Sequence, residues 1–254
     1  MSMTSPLLSI VVPAFNEQDN VGPLVDQVRQ SIIDAGIDAE LIVADDGSTD
    51  ATLERLRELQ ETHGWLRVVH ADSSRGQSAA LGGAIAAARG QYVATLDADL
   101  QNDPADLPAM LRLVESGQAD MVQGDRTANR RDNVIRRFSS WVGRMTRRLI
   151  VRDAIRDTGC STRMMRAEIA RRLPLQYRGM HRFMGACARF MGARVAEMPA
   201  NHRPRVAGVA KYGVLNRMGV GLVDCFAVRW MGQRQRATDY RPIEPSAAEK
   251  MERP

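Results

Sequence analysis

A chain of 254 residues is long enough for one large α/β domain, whose folding buries roughly three quarters of the unfolded surface without help from disulfides. Its three cysteines, Cys160, Cys187 and Cys225, are odd in number and far apart, which excludes a disulfide framework or a zinc site and points to reduced thiols in the cytoplasm. The formal net charge of +5 is concentrated, with eight arginines against the single acid Asp132 between Arg130 and Arg152. Such a cluster suits a phosphate-bearing partner: nucleic acid, anionic lipid or a nucleotide diphosphate.

In chain order, Met1 to Pro6 lacks a basic segment followed by an apolar core, so no signal peptide is expected. Leu7 to Val12 reads as a first strand, and Val21 to Ile33 carries apolar residues at helical spacing. Leu41 to Ala44 is the second strand, and a helix over Thr52 to Leu59 follows the capping cluster Ser48, Thr49 and Asp50. Trp65 to His70 is the third strand. The helix from Ser78 to Arg89, mostly alanine and glycine, suits close approach to a sheet and stops at Gly90. Tyr92 to Leu96 is the fourth strand, Pro104 sits where a helix-starting proline belongs, and Met121 to Gln123 is the fifth strand. This alternation predicts a single Rossmann-like, mainly parallel sheet flanked by helices. Beyond Gly124 the pattern changes to a basic helix from Val134 to Ile150, irregular segments to about Val195 and a final apolar helix, Val214 to Met231. A tail rich in Pro, Glu and Arg is expected to be disordered. The apolar stretch Met218 to Gly232 is too short to span a bilayer and contains Asp224 and Arg229, so no membrane-crossing segment is expected.

The chemistry lies at the strand ends. Asp97 and Asp99 follow the fourth strand; carboxylates spaced by one residue can point the same way, and with Gln101 nearby they suit a hard divalent cation that also holds substrate phosphates. The first strand ends in Val11-Val12-Pro13-Ala14-Phe15-Asn16-Glu17 and the second in Val43-Ala44-Asp45-Asp46-Gly47-Ser48-Thr49-Asp50. Ligands of open α/β sheets bind outside the carboxyl ends of strands, so these three clusters converge on one crevice. There Asp45, Asp46 or Glu17 can accept hydrogen bonds from a base or ribose.

Pro13-Ala14-Phe15-Asn16-Glu17, Asp45-Asp46-Gly47-Ser48-Thr49-Asp50, Asp97-Ala98-Asp99-Leu100-Gln101 and Pro104, in that order, resemble the signature of glycosyltransferase family 2. The likeness is to the branch of dolichyl-phosphate mannose synthase and the bacterial polyprenyl-phosphate sugar transferases, and it covers about residues 7 to 232. It implies a GT-A fold with C-terminal amphipathic helices. A transferase domain would occupy 1–213, with a nucleotide-binding half to about 124 and an acceptor half from 125, before the apolar helix (214–232) and the tail (233–254). It further implies that Pro13, Phe15, Glu17, Asp45 and Asp46 hold the nucleoside of the sugar donor, with Asp97 and Ala98 against it, and that Asp97, Asp99 and Gln101 bind Mg2+ or Mn2+. Phe15 stands where tyrosine is more usual, which leaves stacking as its contact. Arg126 and Arg137 fall where the family places arginines near the donor diphosphate and the acceptor phosphate, with Arg136 adjacent. Asp157-Thr158-Gly159-Cys160-Ser161-Thr162-Arg163 resembles the acceptor-side segment, and His202 to Tyr212 the phosphate-binding loop, in which Arg205 and Lys211 would grip phosphates. Ala210 replaces the usual serine there.

The implied reaction is metal-dependent transfer of a sugar to a polyprenyl phosphate with inversion, Asp99, Asp157, Arg126 and Arg137 being the candidate catalytic residues. With a hydroxyl acceptor instead, Asp157 is the candidate base. Val134, Phe138, Trp141, Val142, Met145 and Leu149 form an apolar stripe ringed by arginines, which suits a helix lying on the inner face of the cell membrane, packing on the sheet or joining a homo-oligomer. An oxidoreductase would need a Gly-x-Gly-x-x-Gly turn after the first strand, which Pro13 to Glu17 lacks. A nucleic-acid-binding protein could use the arginines but would leave the acidic crevice unexplained, so no nucleic-acid partner is expected; a non-catalytic scaffold is the remaining alternative.

Overall fold

The structure, a computed structural model, describes residues 5–127, 143, 145–203 and 215–236. Strands β1 (Leu8–Ala14), β2 (Ala39–Asp45), β3 (Leu66–His70) and β4 (Tyr92–Thr95) pair in parallel, as runs rich in Val, Ile and Leu do when covered on both faces. With β5 (Met121–Asp125), β6 (Arg163–Arg166) and β7 (Val195–Pro199) they form one seven-stranded sheet in the order β3-β2-β1-β4-β6-β5-β7. Within it, β6 alone runs against its neighbours, β4 and β5, while β7 lies parallel to β5.

The two-residue period of β1 divides the core into two layers. Leu8, Ile10 and Val12 point into a cluster with α1 (Val21–Val28), α2 (Thr52–Thr62) and α4 (Leu107–Glu115). Val11 points the other way, against α3 (Gln77–Ala87), the helices Ala167–Ala170 and Met184–Phe190, and Cys225 and Val228 of the final helix, Leu215–Arg234. The small residues of α3 let it lie close to the sheet: Ala80 and Ala84 are both buried. At Gly90 only glycine fits, because a Cβ would lie 2.7 Å from the Ser9 nitrogen.

Several sequence expectations change. The helix expected over Val21 to Ile33 is α-helical to Val28 and then a π-helical turn over Arg29–Ile33. Strand β2 begins at Ala39 because the Glu40 carboxylate is accommodated inside: burial alone would raise its pKa, but hydrogen bonds from the Arg89 amide, the Ser9 hydroxyl and the Arg67 and Arg89 guanidinium groups hold it below the usual carboxylate range. The stretch expected to be irregular up to Val195 contains β6 and two short helices. Its inner residues, Met164 and Met165, are fully buried on opposite faces, but Arg163 and Arg166 at its ends conceal the strand from a hydropathy reading.

The final helix runs to Arg234, past the expected Met231. Of the expected basic helix, residues 145–150 are helical, while 128–142 and 144 lie outside the described residues, as do most of the basic loop (204–214) and the tail from 237. Arg137, Arg205 and Lys211 therefore carry no structural description. Among the described residues no helix is long and apolar enough to cross a membrane.

Candidate functional site

The carboxyl ends of β1, β2 and β4 lie side by side, Ala14 facing Asp45 in the β1–β2 register and Val11 facing Thr95 in the β1–β4 register. The loops after β1 and β2 are stapled together. The Asn16 amide donates to Ser48 Oγ (2.9 Å), Asn16 Oδ1 accepts from the Thr49 amide (2.8 Å), and the Glu17 amide donates to Thr52 Oγ1 (2.8 Å). Asn16 reaches this geometry at φ 54°, a left-handed conformation that asparagine tolerates. Pro13, Phe15 and Glu17, all half-buried, are thereby set against the Asp45–Asp50 loop, and Glu17 Oε2 accepts from Asn20 Nδ2.

The two adjacent acids do different things. Asp46 accepts hydrogen bonds from Ser74 Oγ (2.7 Å), the Arg75 amide (2.8 Å) and the Gly76 amide (2.9 Å), which holds the loop leading into α3. That loop passes so close to Gly47, at φ 70°, that a Cβ there would lie 2.6 Å from the Ser73 backbone. Asp45, 1% exposed, ties its Oδ2 to His70 Nδ1 on β3 (2.7 Å), while its buried Oδ1 meets no donor among the described residues. A buried acceptor without a donor is costly, so this atom suits a ligand N–H or O–H.

At the end of β4, Gln77 Nε2 donates to Asp97 Oδ1 (2.9 Å) and Ser161 Oγ lies 2.7 Å from Asp97 Oδ2. The same hydroxyl is 2.9 Å from Asn102 Oδ1, so its single proton serves one acceptor at a time. Burial raises the Asp97 pKa first and the Asp99 charge raises it further, against lowering by Ser161, Arg163 and Arg126. Asp99 Oδ1 accepts from the Gln101 amide (3.2 Å) across Leu100, whose φ of 60° is strained for a leucine and is held by burial of its side chain.

Two oxygen-donor carboxylates close enough to repel each other fit a hard divalent cation. Mg2+ characteristically takes one or two protein carboxylates and completes its shell with water and substrate phosphates. Among the described residues no group of three or more His, Cys, Asp or Glu could hold a metal ion.

Two buried cations, Arg126 and Arg163, lie near enough to Asp97 for their charges to act on it. Arg126 donates to both oxygens of Asp157 from its side chain (Nε 2.8 Å, Nη2 3.2 Å), and the Arg126 and Gly159 amides each add a further bond to that carboxylate. Burial opposes the Arg126 charge, but the hydrogen bonds and charge of Asp157 hold its pKa above the ordinary value. Arg163, 3% exposed, is held by Gln123 Oε1 (2.8 Å) and the Thr158 carbonyl (3.3 Å); burial lowers its pKa, and Cys160 and Asp97 oppose that shift. Gln123 is locked in turn by the Cys160 carbonyl (2.9 Å).

The strand of residues leading to the basic loop runs beside the Asp99 turn. Asn102 bridges to His202, the Arg203 amide donates to the Gln101 carbonyl (2.9 Å), and Arg203 Nη2 pairs with Asp103 (2.6 Å). Gln77, Ser161 and Arg163 were not singled out from sequence. Ser161 and Arg163 lie inside the acceptor-side segment quoted above, but Gln77 merely begins a helix and carries no such signal.

The sequence model described as glycosyl transferase family 2 matches residues 9–173. Dodecaprenyl-phosphate galacturonate synthase of Rhizobium johnstonii is 40% identical over 211 residues, which are 82% of this chain and 62% of that protein. Undecaprenyl-phosphate 4-deoxy-4-formamido-L-arabinose transferase of Edwardsiella ictaluri is 32% identical over 229 residues, 87% of this chain and 68% of that one. The chain thus spans roughly two thirds of the length of these curated relatives. Among solved structures, the mannosyltransferase PcManGT from Pyrobaculum calidifontis in complex with GDP-Man and Mn2+ superposes with a TM-score of 0.62 at 20% identity, covering 89% of this chain and 64% of that one. Glucosyl-3-phosphoglycerate synthase from Mycobacterium tuberculosis, in complex with Mn2+, UDP and glucosyl-3-phosphoglycerate, gives 0.64 at 21% identity, with 88% and 80% covered. These likenesses show a GT-A-like fold.

Proposed function

The chain belongs to glycosyltransferase family 2, and from that premise we propose that it transfers a sugar from a GDP- or UDP-linked donor to a polyprenyl phosphate with inversion at the anomeric carbon. The observation that carries this reading is the mutually repelling carboxylates of Asp97 and Asp99 at one strand end, together with a buried Asp45 oxygen at another that meets no donor among the described residues. The names of the curated relatives supply the acceptor class.

In this reading Phe15 stacks on the nucleoside, with Pro13 and Glu17 flanking it, and Asp45 Oδ1 accepts from the base. Asp46 contributes by fixing the Ser74–Gly76 loop rather than by touching the donor. Mg2+ or Mn2+ held by Asp97 and Asp99, with Gln101 and Ala98 alongside, would supply Lewis-acid neutralisation of the leaving diphosphate. An acceptor phosphate oxygen attacks the anomeric carbon, the bond to the donor diphosphate breaks, and the electron pair departs with the nucleoside diphosphate. The acceptor, with a second pKa of roughly 6, is already ionised, so the protein needs no strong base. Arg126, oriented by Asp157, faces the growing negative charge; Arg137, Arg205 and Lys211 would add to it from segments outside the described residues. A hydroxyl acceptor would need Asp157 as base, and that carboxylate already gives both oxygens to Arg126. Residues 1–124 form the donor half and 125–213 the acceptor half, working at the inner face of the cell membrane.

The test is a transfer assay screening UDP- and GDP-sugars against a polyprenyl phosphate, with and without manganese. Turnover should require the metal, and Asp99→Ala should keep its fold while losing at least about 100-fold in rate, the size of effect seen when a strong electrostatic contributor is removed. Unchanged turnover in that variant would remove metal-assisted transfer.

A further inference from the structure

The two oxygens of the Asp45 carboxylate are treated unequally by the fold. In the parallel β2–β3 register Asp45 stands beside His70, the last residue of β3, and residues paired in register turn their side chains to the same face. The imidazole lies against the carboxylate there, with Nδ1 2.7 Å from Oδ2. A carboxylate oxygen accepts, so Nδ1 is the nitrogen that carries the proton. The Ser48 amide donates to the same oxygen at 3.4 Å, which takes its second lone pair. Oδ1 belongs to the same fully buried side chain and meets no donor among the described residues.

In the reading in which Asp45 accepts from the base of the donor, on which this rests, we propose that His70 is a positioning residue that sets base selectivity. By occupying Oδ2 it leaves Asp45 one oxygen, enough for a base with a single N–H on its pairing edge and too few for a base with two. Uracil has a lone N3–H between two carbonyls. Guanine has N1–H and the N2 amino group side by side, a fork that matches a carboxylate with both oxygens free. At Asp45 one arm of that fork would end against an oxygen whose lone pairs are already taken, and an N–H buried without an acceptor is costly. A site short of one hydrogen bond discriminates strongly, so uridine diphosphate should be favoured over guanosine diphosphate.

The neighbouring groups leave this role to His70. Asp46 offers the base no second acceptor, because the Ser74 hydroxyl and the Arg75 and Gly76 amides already hold its carboxylate. His70 Nε2 lies 3.9 Å from Asp72, whose side chain is fully exposed, so water screens that pair. Strand β3 is an edge of the sheet and the His70 side chain is one third exposed (33%), so its replacement disturbs little packing. Its contact with Asp45 is the interaction that a substitution removes.

The test is calorimetric titration of UDP and of GDP, each with Mn2+, into the full chain and two variants. Wild type should bind UDP at least about tenfold more tightly than GDP, the size expected when one buried donor is left unmatched. His70→Leu frees Oδ2 and should abolish most of that preference, by weakening UDP and strengthening GDP. His70→Asn, whose side-chain N–H can stand where Nδ1 stood, should restore it. A staple that merely joined β3 to β2 would change the affinity for both nucleotides alike and leave their ratio as it was. An unchanged ratio in His70→Leu, or a wild type that binds GDP as tightly as UDP, would overturn the inference while the donor reading stands. Should neither nucleotide bind the wild type, the donor reading falls and the inference falls with it.

Discussion

The acids at the end of β2 and those at the end of β4 look alike in sequence, but the fold treats them oppositely. Asp46 is surrounded by donors: two backbone amides and a hydroxyl fix it, and it fixes a loop in return. Asp97, half-buried, has two side-chain donors and a second carboxylate whose charge works against its own. The first arrangement is complete without a ligand. The second is electrostatically costly without one, and a divalent cation removes that cost. Stability is therefore held at β2 and lent to function at β4.

Substitutions at the two ends should separate these roles. Asp46→Ala leaves three donors of the Ser74–Gly76 loop unmatched and should cost about 2–4 kcal/mol of stability, read from denaturant unfolding, with donor binding lost only as the loop loosens. Ser161→Ala should leave the fold nearly unchanged while weakening apparent Mn2+ affinity by about tenfold, as for other residues that orient a metal ligand, and saturating Mn2+ should restore the wild-type rate. If saturating metal failed to restore it, Ser161 would not be acting through Asp97.

Asp97→Asn should have the mildest effect on the fold, and in the opposite sense to Asp46→Ala. The raised pKa means that the folded state holds its proton to higher pH than the unfolded chain. In metal-free protein, stability should therefore fall as pH climbs from the ordinary aspartate value of 3.8 through the raised folded value. The asparagine variant should lose that slope and melt a few degrees higher above the window, while transfer activity disappears. A variant that melts lower than wild type across this range would show that Asp97 is a structural acid like Asp46.

Much of this division was beyond the sequence's reach. The strands β1 to β5 announce themselves through contiguous apolar runs, and their acidic ends mark the crevice because ligand sites follow strand ends in such sheets. Nothing local distinguishes Asp45 from Asp46; the split depends on which one meets the Ser74–Gly76 loop and which meets His70 on β3. Arg163 closes the acceptor-side segment with no local sign of burial, yet it lies inside because β6 pairs between β4 and β5 and Gln123 receives its guanidinium. Asp157 reads as an available acid, and only the tertiary fold shows it committed to Arg126. Each of these facts depends on contacts tens of residues apart in the chain, which no local pattern records.

The most direct test is calorimetric titration of UDP and GDP into the full chain with Mn2+ and again with a chelator. If Asp97 and Asp99 hold a cation against the nucleotide's diphosphate, one of the two nucleotides should bind in Mn2+, lose most of that affinity under chelation, and bind Asp99→Ala equally weakly in both conditions. Nucleotide binding of equal strength with and without the metal, in wild type and variant alike, would contradict the account.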